Sequence, residues 1–284
     1  MVDRRSGAVA LAALAVLTSF AAAPATAQRP PGEAYAVRLE YEFTVGGARV
    51  FRAGGDLRID GARYLVDTDF NKEGLAAAFS STFNGRNRAW GPFVPGGVSP
   101  ASGWSWIQFK SKVRTWLVGY TGAGSFSETH EPQLAVKTHK AVTPEQKNGA
   151  FDPLTATLTA VFTGASACDR TYPIFDSKRR FDVTLSRLRT ETVKPTEIPA
   201  ARGEAVVCAA RMTRIAGYDD DDLRKNAYEK DPPKLWLATV DGLDRPIPVK
   251  MEMATSFGVV HGRLKSVTRR ALSPEDRVAL GAPR

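Results

Sequence analysis

Strict two-residue alternation dominates the chain, and it leaves little choice of architecture. In "AVRLEYEFTV", Val37, Leu39, Tyr41, Phe43 and Val45 alternate with Arg38, Glu40, Glu42 and Thr44. Successive side chains of a strand point to opposite faces, so this pattern describes a half-buried antiparallel strand with one wet face. "DLRIDGARYLVD" follows as two strand-like runs around Asp60-Gly61, a pair that readily supplies the positive φ angles of a tight hairpin turn. "RNRAWGPFV" reads as a further strand, ended by Pro95 and Gly96-Gly97. The pattern returns in "FDVTL", "AVVCAARM", "KLWLATV", "PVKMEMAT" and "VVHGRLKSV". "KEGLAAAFSS" reads as a short helix or helical turn, and "TGAGSFSETHEPQ" as a loop. The expected count is roughly eight to twelve antiparallel strands.

One stretch breaks the pattern. In "NGAFDPLTATLTAVFTGASAC", Asp152 suits a helix N-cap, because its carboxylate accepts a backbone N–H. Pro153 suits the first helical position, where its missing donor costs nothing. Leu154, Leu158 and Val161 or Phe162 recur at helical spacing, and Gly164 supplies a left-handed stop. No charge occurs between Pro153 and Asp169. A helix without a charged face belongs in an interior. The expected fold is therefore mainly β: a curved antiparallel sheet or open half-barrel wrapping one central helix.

The first 27 residues read as a signal peptide, with Arg4 and Arg5 ahead of an apolar run and "ATA" before Gln28. Cleavage after Ala27 would leave residues 28–284 as a single β-rich domain in the periplasm, with a loose C-terminal tail from about residue 273. No later apolar run is long enough for a membrane span. In an oxidising compartment, Cys168 and Cys208 are most simply a disulfide. Its 40-residue separation corresponds to about 4 kcal/mol in the chain-entropy account. The formal charge of +9 is dispersed, with short pairs at Arg179-Arg180 and Arg269-Arg270. That suggests a solvated basic surface, or contact with anionic envelope material. After export, nucleic acid is not an expected partner.

Catalytic patterns do not emerge. "GASAC" around Ser166 lacks the closing glycine of a nucleophile elbow, and "GYTGAGSFS" lacks the lysine of a phosphate loop. His130 and His139 lie nine apart, His261 is remote, and no zinc pattern joins them. The acidic run at 219–222 lacks the spacing of a calcium loop. No metal, cofactor or catalytic residue is expected.

Several pieces together carry a resemblance. "FDPLTATLTAVF", Cys168, "YPIFDSKRRFDV", Cys208 with "RIAGY", and "KLWLATVDGLDRPIPVKMEMATSFGVVHGRL" resemble domain of unknown function 3108, an exported bacterial family. Ser177 stands where that family usually has glycine, so the turn at Asp176 is expected to differ. The resemblance implies an architecture similar to lipoprotein-carrier half-barrels, whose curved sheet wraps a helix over an apolar cavity. It implies no activity. The expected function is a non-enzymatic envelope protein binding a lipid, acyl chain or lipoprotein in the concave face. Leu154, Leu158, Trp104, Trp106 and Trp116 are the candidate ligand-lining residues. The alternative is a structural or partner-binding factor for envelope integrity, with no internal ligand.

Overall fold

The computed structural model describes residues 34–74, 83–94, 97–120, 126–131, 141–218, 231–255 and 258–281. The expected leader, the acidic run at 219–222, His139 and most of "KEGLAAAFSS" lie outside the described residues. The first half of the chain forms β1 (Tyr35–Val45), β2 (Ala48–Ile59), β3 (Arg63–Lys72), β4 (Phe83–Val94), β5 (Gly97–Val98), β6 (Ser102–Phe109), β7 (Lys112–Tyr120) and β8 (Phe126–Glu131). Helices α1 (Pro144–Lys147) and α2 (Pro153–Thr163) follow, with a 3-10 turn over Gly164–Ala167. Then come β9 (Arg170–Phe175), β10 (Arg180–Thr192), β11 (Glu204–Ala216), β12 (Lys234–Ala238), β13 (Ile247–Thr255), β14 (Gly258–Ala271) and α3 (Pro274–Gly281).

The strands lie side by side in the order β8-β7-β6-β4-β3-β2-β1-β14-β13-β12-β11-β10-β9, with β5 beside β4. All these pairings are antiparallel, and β8 and β9 remain as two unjoined edges. β1 pairs with β14, so the two ends of the domain meet at the middle of the sheet. The middle of the chain supplies both edges. Register shifts at Glu40/Tyr41, Phe43/Thr44 and Trp236/Leu237 add local twist and help the sheet curl. The sheet is mainly β as expected, but its 14 strands exceed the expected count. Part of the surplus is β8, which lies inside the stretch read as a loop. Its Ser, Thr, Glu and His show no apolar alternation. Ladder bonds to β7 hold it instead, from Thr115↔Glu131 to Tyr120↔Phe126.

α2 lies on the concave face, and its boundaries follow from its caps. Asp152 accepts from the backbone N–H of Leu154 at 2.9 Å and of Thr155 at 3.0 Å. Pro153 occupies the first turn, and Gly164 ends the helix at φ 69°. Leu158 and Phe162 are buried. The Phe162 ring meets Phe93 edge-on at 4.8 Å, and Phe93 lies 5.8 Å from Tyr64. Burial of each such side chain stabilises by about 1.5–3 kcal/mol. Cys168 and Cys208 are bonded, and both sulfurs sit among Ala156, Tyr172, Ile174 and Leu185.

Two expectations need correction. The tail from residue 273 is not loose. It forms α3, which docks on the convex face with Leu280 fully buried beside Ala36, Leu65 and Leu272. Ser273 and Asp276 cap it reciprocally: Asp276 N donates to Ser273 Oγ at 3.2 Å, and Ser273 N donates to Asp276 at 2.8 Å. The turn at Asp176 also keeps a glycine-type backbone, because Ser177 itself adopts φ 77°. Asp176 holds that turn by accepting from Arg179 N at 2.7 Å and Lys178 N at 3.2 Å.

Candidate functional site

The N-terminal end of α2 carries a buried polar cluster. The Asp152 carboxylate, besides capping the helix, accepts from Tyr120 Oη at 2.9 Å and Thr155 Oγ1 at 2.5 Å. Burial pushes the Asp152 pKa up, and the hydrogen bonds from Thr155, Tyr120 and Leu154 act against that. Burial and then the Asp152 charge push the Tyr120 and Tyr64 hydroxyls up. The two tyrosine hydroxyls therefore stay protonated over the ordinary pH range, and that of Tyr120 acts as a fixed donor and acceptor that anchors the helix start. Further along, Thr157, Thr159 and Thr163 each donate back to the carbonyl four residues earlier, at 2.7–2.8 Å. These internal bonds let a threonine-rich helix sit in an apolar place.

Beside α2 the concave face opens into a cavity of about 420 Å³. One wall is β1, through Val37, Leu39, Tyr41 and Phe43. The opposite wall is Leu243, Arg245 and Ile247, on the approach to β13. Leu154, Leu158 and Val161 of α2 roof it, and Ala53, Leu57 and Val66 continue the floor. Burial is graded along it. Val37, Leu57, Leu243 and Ile247 are buried at one end, whereas Phe43, Phe70 and Met251 are half-exposed at the other. At that open end Phe43 crosses Gly262, where an added Cβ would come within 2.6 Å of the ring. Phe70 crosses Gly85 in the same way, at 2.1 Å. Glycine at these two positions lets the rings lie flat on the sheet. Polar groups are few and are turned aside. Tyr41 Oη donates to the Pro248 carbonyl at 2.8 Å.

Arg245 is the exception. It is only 5 % exposed, its guanidinium lies 4.6 Å from the Phe162 ring centre, and its Nε donates to Asp244 at 3.3 Å. A second, larger depression of about 620 Å³ lies past Leu154 and Thr157. Its walls mix Asn87, Arg114, Asp176 and Lys178 with Trp104 and Trp116. Its charged groups are open to water, whereas the smaller cavity is far more uniformly apolar, which makes the smaller cavity the better candidate site.

The structure divides the candidate lining residues. Leu154 and Leu158 both border the apolar cavity, with Leu158 buried and Leu154 only half-buried. Trp116 faces the concave side and packs with Val118, Ala150 and Phe175; it borders the larger depression and not the apolar cavity. Trp104 and Trp106 are on the convex face. Trp104 pairs across the sheet with Arg88 and Leu117, and Trp106 with Arg86 and Thr115, whereas Ser105 pairs with Trp116. The reason is room. A Cβ at Gly103 would lie 3.0 Å from Val118 and 3.3 Å from Asp152, so only small residues face the helix there. The aromatic cluster in the sequence thus marks two faces, not one cavity.

Sequence reasoning missed Arg245 and the far wall. A signal existed: Leu243, Arg245, Ile247 and Val249 are buried in strict alternation, and that phase places arginine inward. His261 stands on the convex face, with Nδ1 3.6 Å from Glu252. Among the described residues, no three His, Cys, Asp or Glu side chains are grouped to hold a metal ion, and no helix is long and apolar enough to cross a membrane.

A family model described as "Protein of unknown function (DUF3108)" matches residues 35–265, which runs from the first strand into β14. No curated protein matches the chain.

Proposed function

The chain belongs to the DUF3108 family of proteins of unknown function, and on that premise we propose that it is a non-enzymatic carrier or sensor of an apolar or amphipathic molecule. The ligand class is a lipid, an acyl chain or the lipid part of a lipoprotein, held between α2 and the concave sheet. The observation that carries this reading is the cavity of about 420 Å³, which runs from half-exposed to buried residues and is lined almost wholly by apolar side chains. Its size falls within the range of about 300–1,000 Å³ typical of small-molecule sites. Export to the periplasm, with the leader removed after Ala27, fits the disulfide and supplies an environment rich in such ligands. The net positive charge favours approach to anionic envelope surfaces.

The test is titration of the purified, delipidated protein with a fluorescent fatty acid. Saturable binding is expected, and Ala53→Trp, which fills the cavity floor from a strand position, should abolish it while leaving the thermal transition cooperative. Absence of saturable binding by the unaltered protein would overturn the proposal. A second reading, partner binding by the outer surface, is favoured by Trp104 and Trp106 on the convex face beside Leu117, which is 43 % exposed. Trp104→Ala with Trp106→Ala would then disturb envelope integrity in cells without altering probe binding.

A further inference from the structure

Arg245 is costly where it stands. An arginine taken from water into an apolar wall needs strong partners to offset its lost hydration. Here the partners are weak. Asp244 is reached only through Nε at 3.3 Å, and its side chain is 76 % exposed, so its charge is screened by water. Phe162 offers a ring face at 4.6 Å. The two terminal nitrogens donate to no protein acceptor among the described residues. The other charges near the cavity are already engaged. Asp69 takes a hydrogen bond from Arg38 at 3.2 Å, and Lys250 pairs with Glu252 at 3.2 Å while lying over the Trp236 ring.

From these observations we infer that the cavity selects a single-chain amphiphile with an anionic head, a carboxylate or a phosphate, held by the Arg245 fork. The inference rests on the proposed ligand-binding role of the cavity and names its ligand class. A planar guanidinium with two free parallel donors matches a carboxylate or phosphate in bidentate fashion. The position sets the orientation. Arg245 stands with Leu243 and Ile247 at the buried end, and Phe43, Phe70 and Met251 stand half-exposed at the other. The head therefore enters first, and the chain lies along Val37, Leu39 and Tyr41 toward the open end.

The experiment compares three probes of one chain length on the purified protein: a fatty acid, an alkyl phosphate and a fatty alcohol. Calorimetry on the unaltered protein should show an anion preference of roughly 10–100-fold over the alcohol, the range expected of charge-assisted hydrogen bonds. The stronger of the two anionic probes identifies the head. In Arg245→Met that ratio should fall to near one, and in Arg245→Lys, which keeps charge but not the fork, it should be intermediate. Equal affinity for all three probes in the unaltered protein overturns the inference while the ligand-binding role stands. So does an anion preference that survives in Arg245→Met. Binding of none of the three overturns the ligand-binding role itself. The comparison within the unaltered protein needs no variant, so poor folding of a substituted chain cannot rescue the idea.

Discussion

Two helices dock on opposite faces of the same sheet, and they are held by different physics. α2, on the concave side, has no charged residue between its caps and is fixed by Leu158, Phe162 and one buried carboxylate at its start. α3, on the convex side, is held by ions. Asp276 pairs with Arg270 and with Arg58, the latter at 2.7 Å, and Arg58 also reaches Asp67 at 2.6 Å. Trp90 Nε1 closes the far end by donating to the Leu280 carbonyl at 3.2 Å. A concave face turns strands inward and excludes water, so apolar packing wins there. A convex face splays its side chains, and long arginines can span the gaps. The difference shows that curvature, as much as sequence pattern, decides which force attaches a helix.

The sharpest way to break this comparison is to place a charge where only packing operates. Leu158→Asp should cost roughly 4 kcal/mol or more, because it empties a packed position and buries a carboxylate for which the one cation with unengaged terminal nitrogens among the described cavity-lining residues is Arg245. Urea unfolding should show loss of the cooperative transition. Milder changes separate the two roles of α2. Leu158→Ala should cost about 2–5 kcal/mol by creating a hole. Leu154→Ala should cost only about 1–2 kcal/mol, because it borders space that already exists. Equal costs for the two would mean that the cavity collapses around either residue.

On the convex side, Asp276→Asn should cost about 1.5–3 kcal/mol, the worth of hydrogen bonds to charged groups. Hydrogen exchange should localise the loss to α3 and the strands beneath it. The two faces should also respond oppositely to acid. The Arg270 guanidinium above all holds Asp276 well below the usual carboxylate range. Its contribution is complete above the unfolded-state value of about 4 and fades as pH falls through the lower folded value. Asp152 is raised by burial, so its cost appears as pH rises above about 4 and is relieved below it. The unaltered protein should therefore lose ground relative to Asp152→Asn as pH rises from 4 to 7, and relative to Asp276→Asn as pH falls below about 4. Parallel slopes in denaturation series would refute the contrast. The smallest effect concerns Ser177. Its left-handed backbone should make Ser177→Gly stabilising by up to about 1 kcal/mol, read as a rise in the thermal midpoint.

What was legible in the sequence followed from local physics. The β1 alternation set its two faces correctly, since Val37, Leu39, Tyr41 and Phe43 all reach the cavity. α2 was legible to the residue because Asp152, Pro153 and Gly164 mark its ends chemically. The faces of Trp104 and Trp106 were not, because β6 turns both outward and sets Gly103 and Ser105 inward, against the usual expectation. The approach of Val118 and Asp152 to Gly103 explains that, and the contact with Asp152 is a long-range one. The α3 signal was present in Ser273-Pro274 and Asp276, but a short, charged segment reads as solvent-facing until Arg58, far away in the sequence, is known to meet it.

The Cys168–Cys208 bond has a consequence for traffic. It ties the turn that follows α2 to β11, while Asp152 and Tyr120 clamp the helix start. A roof anchored at both ends cannot swing aside like a hinged door. On the proposed ligand-binding role, the way in lies lengthwise, past Phe43 and Phe70 at the half-exposed end. A reducing environment, by freeing the far end of α2 from β11, would then turn a sleeve into a hatch.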